Sequence, residues 1–260
     1  MRTTIIGNGT AFQFDRPNTS FLVDCGGRKA LIDCGFSVPK RLEEMGLLNE
    51  FTDVFVTHKH FDHVGGLEPL LYYREFVSKS DVLVHDLPLF DDRLLAEIIH
   101  MKVVTDGTIF VKPTHVEFKQ VPYGYFYDPN LIPPAIWVGD CQCVIYMHSW
   151  HVCCSSGLFV FFNDRTAHVF TGDTTVSQNI VRLCGQLLDG GYEVVCFHDF
   201  SPVESPVHAS WELFDFFADL QKDPKFALIP VHWGGDKIEG WVVDSLEAAK
   251  CLEKEIRRSL

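Results

Sequence analysis

The sequence contains no apolar run approaching the ~18 to 20 uninterrupted residues of a membrane span, and the apolar patch of "MRTTIIGNGTAF" is too short for a secretory signal core. The expectation is a cytoplasmic chain with no membrane among its partners. A basic stripe is equally absent: 22 Lys and Arg stand against 35 Asp and Glu, a formal net charge of −13. Gripping a long phosphate backbone takes clustered cations that displace counterions, so polymeric nucleic acid is disfavoured as a partner, while a local pocket for a small anion stays open. Nine cysteines occur, but without the spacing of a structural zinc site: Cys141-Gln142-Cys143 has one intervening residue where such sites have two to four. They read as buried thiols, with Cys25, Cys34 and Cys196 inside apolar runs. Strict repeats, heptads and low-complexity tracts are missing too. With 47% hydrophobic residues over 260 positions, the chain reads as a single domain, 1–260, around one large core.

What is present is a succession of short apolar runs and turns. "TTIIGNG", "SFLVDCGG" and "KALIDCG" predict three strands in a meander. A helix follows, with Ser37 as N-cap, Pro39 in its first turn and Gly46 at its end. The strand "DVFVT" leads to a second helix over about 66–77, then come the strand "DVLVH" and an amphipathic helix "LPLFDDRLLAEIIH". Residues 121–137, rich in proline and aromatics without a helical or strand period, predict a long loop. The second half reads as strands "CVIYMHS", "LFVFFN", "AHVFTGD", "EVVCFHD" and "FALIPVH", with helices over about 176–189, 208–221 and 243–257. Two runs of strands, each followed by helices, fit helices packed outside two face-to-face sheets.

Four of these strands end in metal-type ligands. Residues 57–66 read "THKHFDHVGG", placing His58, His60, Asp62 and His63 directly after an apolar run; His151, Asp173 and His232 follow three later strands. Strand ends on one rim converge in space, so ligands distant in sequence can meet there. Alternate residues of an extended segment point the same way, which suits His58 and His60 to one ion, and the turn through Phe61 lets Asp62 and His63 face a second. Imidazoles with carboxylates suit two divalent ions, Zn²⁺ or Mn²⁺. Asp173, with two oxygens, is the natural bridge; His151 completes the first site and His232 the second. A lone histidine is more often a hydrogen-bonded structural residue, and His85, His100, His115, His148 and His168 read that way.

These residues carry a resemblance. The signature H-x-H-x-D-H of the metallo-β-lactamase-fold hydrolases stands here as His58-Lys59-His60-Phe61-Asp62-His63, "TGDT" resembles the segment of the bridging aspartate, and "PVHWG" that of the last ligand. The resemblance covers nearly the whole chain and implies an α/β (α+β) fold, a four-layer αββα sandwich with a dinuclear site along one edge. "GNGTAF", "RPNTSFLV" and "FHDFSPVESPVHASWE" are similar to the ribonuclease Z-like phosphodiesterases, in which an H-E-A-T stretch precedes an H-S-T stretch. Here these stand as "HDFS" at His198 and "HAS" at His208, with Asp199 in place of Glu and Ala209 in place of Ser. The resemblance implies His208 as proton donor to the leaving group; a part for His198 stays open. The chemistry of phosphodiester hydrolysis fits, with Asp62 orienting or deprotonating the attacking water.

The short ribonuclease Z enzymes carry an arm that holds transfer RNA between the ligands matching His151 and Asp173; here two short strands and their turn fill that interval. Within the family, "LIDCGFSVPKRLEEMG" is similar to the same region of the cyclic-nucleotide phosphodiesterases that phages use against Pycsar immunity. That implies hydrolysis of 3′,5′-cyclic CMP and UMP to 5′-monophosphates, with cyclic AMP and GMP left open, by a homodimer in the cytoplasm, the host's if the gene is a phage's. The loop from Pro122 to Trp137 could stack a base, close as a lid, reach across a dimer, or simply pack. Three alternatives stand: a transfer RNA 3′-endonuclease or a cyclic ribose phosphate hydrolase with the same metals; a β-lactamase or thioesterase, against which the His208 segment speaks; and a metal-free scaffold or binding protein of this fold, which would lack ligands.

Overall fold

The apolar runs of the first third form an antiparallel meander of β1 (Arg2–Gly7), β2 (Ser20–Asp24) and β3 (Lys29–Ile32) in a computed structural model that describes residues 1–90, 93–94, 103–105, 109–111, 114–125, 133–148, 151, 156–235 and 238–260. Helix α1 (Val38–Glu44) then returns the chain to β4 (Asp53–Phe55), parallel to β3. Ser37 does sit at the N-cap, but its hydroxyl is used elsewhere: it bonds the Asn18 Oδ1 at 2.6 Å and ties the loop before β2 to the start of α1. The motif opens the short helix α2 (Phe61–Val64), and the helix expected over 66–77 is realised as α3 (Leu67–Tyr72) running into a π-helical turn, Tyr73–Ser78. The wide turn buries Arg74, whose guanidinium donates to the carbonyls of Leu48, Phe51, Ser80 and Asp81.

Strand β5 (Val82–Asp86) follows as read, but "LPLFDDRLLAEIIH" is not a helix where it is described: it contributes β6 (Pro88–Phe90) and β7 (Arg93–Leu94), which pair with each other. Of its other residues Leu87 is buried in the core, and the rest, His100 among them, lie outside the described residues. Next come the hairpin β8 (Val103–Thr105) and β9 (Ile109–Val111), and β10 (Val116–Gln120), an edge strand parallel to β5. The expected long loop from Pro122 to Trp137 includes β11 (Gly124–Tyr125) and the first residues of β12 (Ile136–Val138), which flank β13 (Cys141–His148). The chain continues through β14 (Ser156–Phe162), β15 (Thr166–Phe170), helix α4 (Gln178–Asp189), β16 (Glu193–Asp199), helix α5 (Glu212–Phe216), a 3₁₀ turn at Leu220–Lys222, β17 (Phe226–Val231), β18 (Val242–Val243) and helix α6 (Leu246–Ser259). The helix expected over 208–221 is thus cut back at its start, because residues 205–210 are held in a loop by bonds from His208 N to Ser205 Oγ and from Ala209 N to the Thr174 carbonyl.

One sheet has the order β10-β5-β4-β3-β2-β1-β18 and the other β11-β13-β14-β15-β16-β17. They meet face to face through aromatic side chains: Phe21 packs against Phe170 and Phe197 at 5.0 and 5.2 Å between ring centres, and Phe55 against Phe159 and Phe161 at 5.3 and 5.2 Å. Burial of such rings is the main stabilising contribution of the interface. Val38 and Leu42 of α1 with Leu67, Leu70 and Leu71 of α3 join the core on the first sheet's side. A second cluster lies outside the other sheet, where Ile180 and Cys184 of α4 and Leu213 of α5 meet Val194, Cys196 and Leu228. The result is the four-layer αββα sandwich. Six of the seven described cysteines are buried, but Cys251 on α6 is exposed; Cys153 and Cys154 lie outside the described residues. Among the described residues no helix is long and apolar enough to cross a membrane.

Candidate metal centre

The ends of β4, β13, β15 and β17 deliver His58 through His63, His151, Asp173 and His232 to one place. Two glycines make the approach possible. At Gly172, in the left-handed conformation with φ of 61°, a side chain would meet Thr57; at Gly35 it would run into the Asp62 carbonyl. All seven expected ligands fall into two groups that share Asp173: His58, His60, His151 and Asp173, and Asp62, His63, Asp173 and His232.

In the first group the nitrogens converge tightly, His58 Nε2 standing 2.9 Å and His151 Nε2 3.1 Å from His60 Nδ1. The far side of two of these rings is already committed. His151 Nδ1–H donates to the Val207 carbonyl at 3.1 Å; Thr57 Oγ1 donates to Asp33 Oδ2 at 2.8 Å, so it accepts from His58 Nδ1–H at 3.1 Å. The facing Nε2 atoms of His58 and His151 are therefore lone-pair donors. A cation shared among these nitrogens would satisfy such lone pairs. Asp173 Oδ2 completes the set at 3.7 Å from both.

The second group has the same construction. His63 Nε2 is 3.2 Å from Asp173 Oδ1 and 3.5 Å from Asp62 Oδ2, while His232 Nε2 is 3.3 Å from Asp173 Oδ2 and 3.8 Å from Asp62 Oδ2. His63 Nε2 is buried without a hydrogen bond, an orphan of the kind a ligand resolves. Behind it, Nδ1 bonds Asp33 Oδ2 at 2.8 Å. His232 sits at a φ of 65°, held there by its N–H bond to Asn8 Oδ1 at 2.7 Å and a ring contact to Thr19 Oγ1 at 3.1 Å. The donor set, buried imidazoles with two carboxylates, fits divalent ions.

Burial pushes His58 well below the usual imidazole range, lowers His60 and His151, and takes His232 to about 4. Those rings are neutral at neutral pH, as ligands must be. His63 goes the other way: burial opposes its charge, but Asp173 and Asp33 outweigh it. Asp173 is held well below its ordinary value against burial by His232, His63 and His58.

Beside these groups lie Asp199 of "HDFS" and His208 of "HAS". His208 Nδ1 bonds Asp199 Oδ2 at 2.7 Å and stands 3.9 Å from Asp173 Oδ2. The shorter carboxylate at 199 therefore reaches the histidine, and Thr174 N fixes it with a bond of 2.8 Å. Burial and the Asp173 charge push the Asp199 carboxyl up to about 7. Burial also disfavours a charged His208, but the bond and charge of Asp199, with Asp173, push that imidazole up to about 8. Asp173, Asp199, His208 and His232 form a third convergent group, in which His208 Nδ1 and Asp199 Oδ2 are bonded to each other.

The remaining described histidines have structural partners. His85 bonds Asp53 at 2.8 Å, His115 bonds Asp81 at 2.8 Å, His148 donates to the Thr171 carbonyl at 3.1 Å, and His168 meets Thr3 Oγ1 at 2.7 Å. His198 is buried, donates to the Asp199 carbonyl at 2.8 Å, and belongs to none of the convergent groups. Sequence reasoning missed Asp33, Thr57, Thr19 and Asn8, which orient the ligands. Asp33 carried the signal, a polar residue where strand β3 stops. Asp33→Asn is expected to weaken metal binding about 10- to 100-fold, read by titrating the apo-protein with Zn²⁺ in competition with a chromophoric chelator; unchanged affinity would remove Asp33 from the site.

The family model described as "Anti-Pycsar protein Apyc1" matches residues 1–238. An anti-Pycsar protein Apyc1 of Bacillus phage vB_BveM-Goe7 is 44% identical over 101 residues, 36% of this chain and 39% of that protein. The chain thus aligns with well under half the length of such curated relatives. Among solved structures, the metallo-β-lactamase-fold protein YhfI from Bacillus subtilis is similar with a TM-score of 0.64 at 13% identity, over 98% of this chain and 92% of that one. The short form of human tRNase Z is similar with a TM-score of 0.63 at 18% identity, over 94% and 99%. At those identities the likeness is one of fold, the metallo-β-lactamase fold.

Proposed function

The chain belongs to the anti-Pycsar protein Apyc1 family, and from that membership and its site we propose that it is a metal-dependent phosphodiesterase opening 3′,5′-cyclic mononucleotides to 5′-monophosphates. Such a reaction would remove cyclic-nucleotide immune signals. His58, His60 and His151 would hold one divalent ion, Asp62, His63 and His232 a second, with Asp173 between them. When bound, two Zn²⁺ or Mn²⁺ ions supply charge neutralisation for the phosphoryl oxygens and a nucleophile at neutral pH. Asp62 orients the attacking water and takes its proton. As the bond from phosphorus to the 3′ oxygen breaks, His208 gives its proton to the departing alkoxide and Asp199 holds the ring in place.

The observation that carries this reading is the position of His208 beside the centre, 3.9 Å from Asp173 and bonded to Asp199 at 2.7 Å. An alkoxide leaving from phosphorus is a strong base and needs such an acid. A transfer RNA substrate is disfavoured by the net charge of −13 and by the interval between His151 and Asp173, which β14 and β15 fill. We also propose a cytoplasmic homodimer, on the family resemblance. The test is product chromatography with Mn²⁺ and with Zn²⁺ on cyclic CMP, UMP, AMP and GMP beside a precursor transfer RNA. Formation of 5′-monophosphates with intact RNA is expected; cleaved RNA with untouched cyclic nucleotides would replace the proposal with a ribonuclease role.

A further inference from the structure

Phe12, Phe14 and Phe61 are 87%, 78% and 66% exposed. Single exposed rings are ordinary, but a contiguous apolar patch marks a binding surface, and two of these rings form a row. Phe61 stacks on Phe36 with ring centres 5.4 Å apart and planes 18° apart, and Phe36 meets Phe14 at 6.0 Å. The segments carrying the row also build the centre. Phe61 stands between His60 and Asp62; Phe36 follows Asp33, which bonds His63; and Phe14 lies in the loop between Asn8 and Thr19, which bond His232.

We infer that Phe14, Phe36 and Phe61 are the platform on which the base of the cyclic nucleotide stacks while its phosphate occupies the centre. The inference rests on the phosphodiesterase reading and deepens it. That substrate is a compact anion joined to a flat heteroaromatic ring, and the site offers a surface for each: buried ligands for the anion, and for the ring the near-parallel phenyls of Phe36 and Phe61 with Phe14 beyond them, tilted by 43° to Phe36. Stacking on phenyl faces tolerates any base, because every base has a π-face. The platform therefore admits purines and pyrimidines alike. A second copy of the chain is a poorer occupant. A stable protein contact covers about 800 Å² per partner, more than a few phenyl rings present.

The test is steady-state kinetics with Mn²⁺ of the wild type, Phe14→Ala, Phe61→Ala and Phe61→Trp, on cyclic CMP and on the abasic ribose 3′,5′-cyclic phosphate. In each alanine variant the ratio of kcat/KM between the nucleotide and its abasic analogue is expected to fall about tenfold through KM, and Phe61→Trp should recover it. An unchanged ratio, or equal losses on both substrates, would overturn the platform alone. So would alanine variants that change the mass measured by light scattering while the ratio holds, which would make the row a contact between copies. A wild type that cleaves other phosphodiesters but no cyclic nucleotide would overturn the substrate reading and the platform with it.

Discussion

The double variant His60→Ala/Asp62→Ala is expected to lose turnover of cyclic nucleotides by on the order of 10⁴-fold or more, while remaining folded. The size follows from what the two side chains share. His60 Nδ1 is the atom on which the His58 and His151 nitrogens converge, and Asp62 Oδ2 lies within 3.8 Å of both histidines of the second group. Removing one from each group disables both ion sites, and groups that act as a unit do not lose activity by halves. Folding should survive because neither residue is part of the hydrophobic core: Phe21, Phe55, Phe159 and Phe170 hold the sheets together, and the strands end before the motif begins. Kinetics with saturating Mn²⁺ and a circular-dichroism melt settle the matter. Turnover at the wild-type rate would show the chemistry to lie elsewhere, and loss of the melting transition would show the loop to be structural.

The strands were legible because their apolar runs are short, clean and ended by turn residues, and the ligands were legible because His58, His151, Asp173 and His232 stand one to three residues beyond such an end, with His60, Asp62 and His63 following His58 in one motif. Asp173 and His232 are examples, after β15 and β17. What escaped the sequence is decided between elements. Asp33 orients His63 only because β3 lies beside β4, a neighbour relation set by the crossover through α1. The start of α5 was misplaced because helical spacing in 208–221 competes with bonds from Ser205 and Thr174 that keep His208 in a loop. Strand β10 went unread because an edge strand with one apolar face, "VEFKQ", carries too little pattern. The Asp199 substitution looked like a departure from the family; only the 2.7 Å bond to His208 reveals that the shorter side chain reaches.

That bond carries the second large expectation: His208→Ala should reduce kcat on cyclic nucleotides by about 10²- to 10⁴-fold, the usual contribution of a positioned acid. The loss should depend on the leaving group. A departing ribose alkoxide is strongly basic and leaves only with a proton, whereas 4-nitrophenolate leaves readily without one, so bis(4-nitrophenyl) phosphate should lose far less. Metal content, measured on the same preparations, should stay at the wild-type level, since the ring is engaged by Asp199 and stands outside the two groups formed by the seven expected ligands. Asp199→Asn separates holding from donating. The amide can still bond the imidazole but no longer stabilises its charge, so the loss on cyclic nucleotides should fall between wild type and His208→Ala. If His208→Ala slowed both substrates equally and also shed an ion, the residue would be a ligand of the convergent group it shares with Asp173, Asp199 and His232, and the proton for the alkoxide would have to come from solvent.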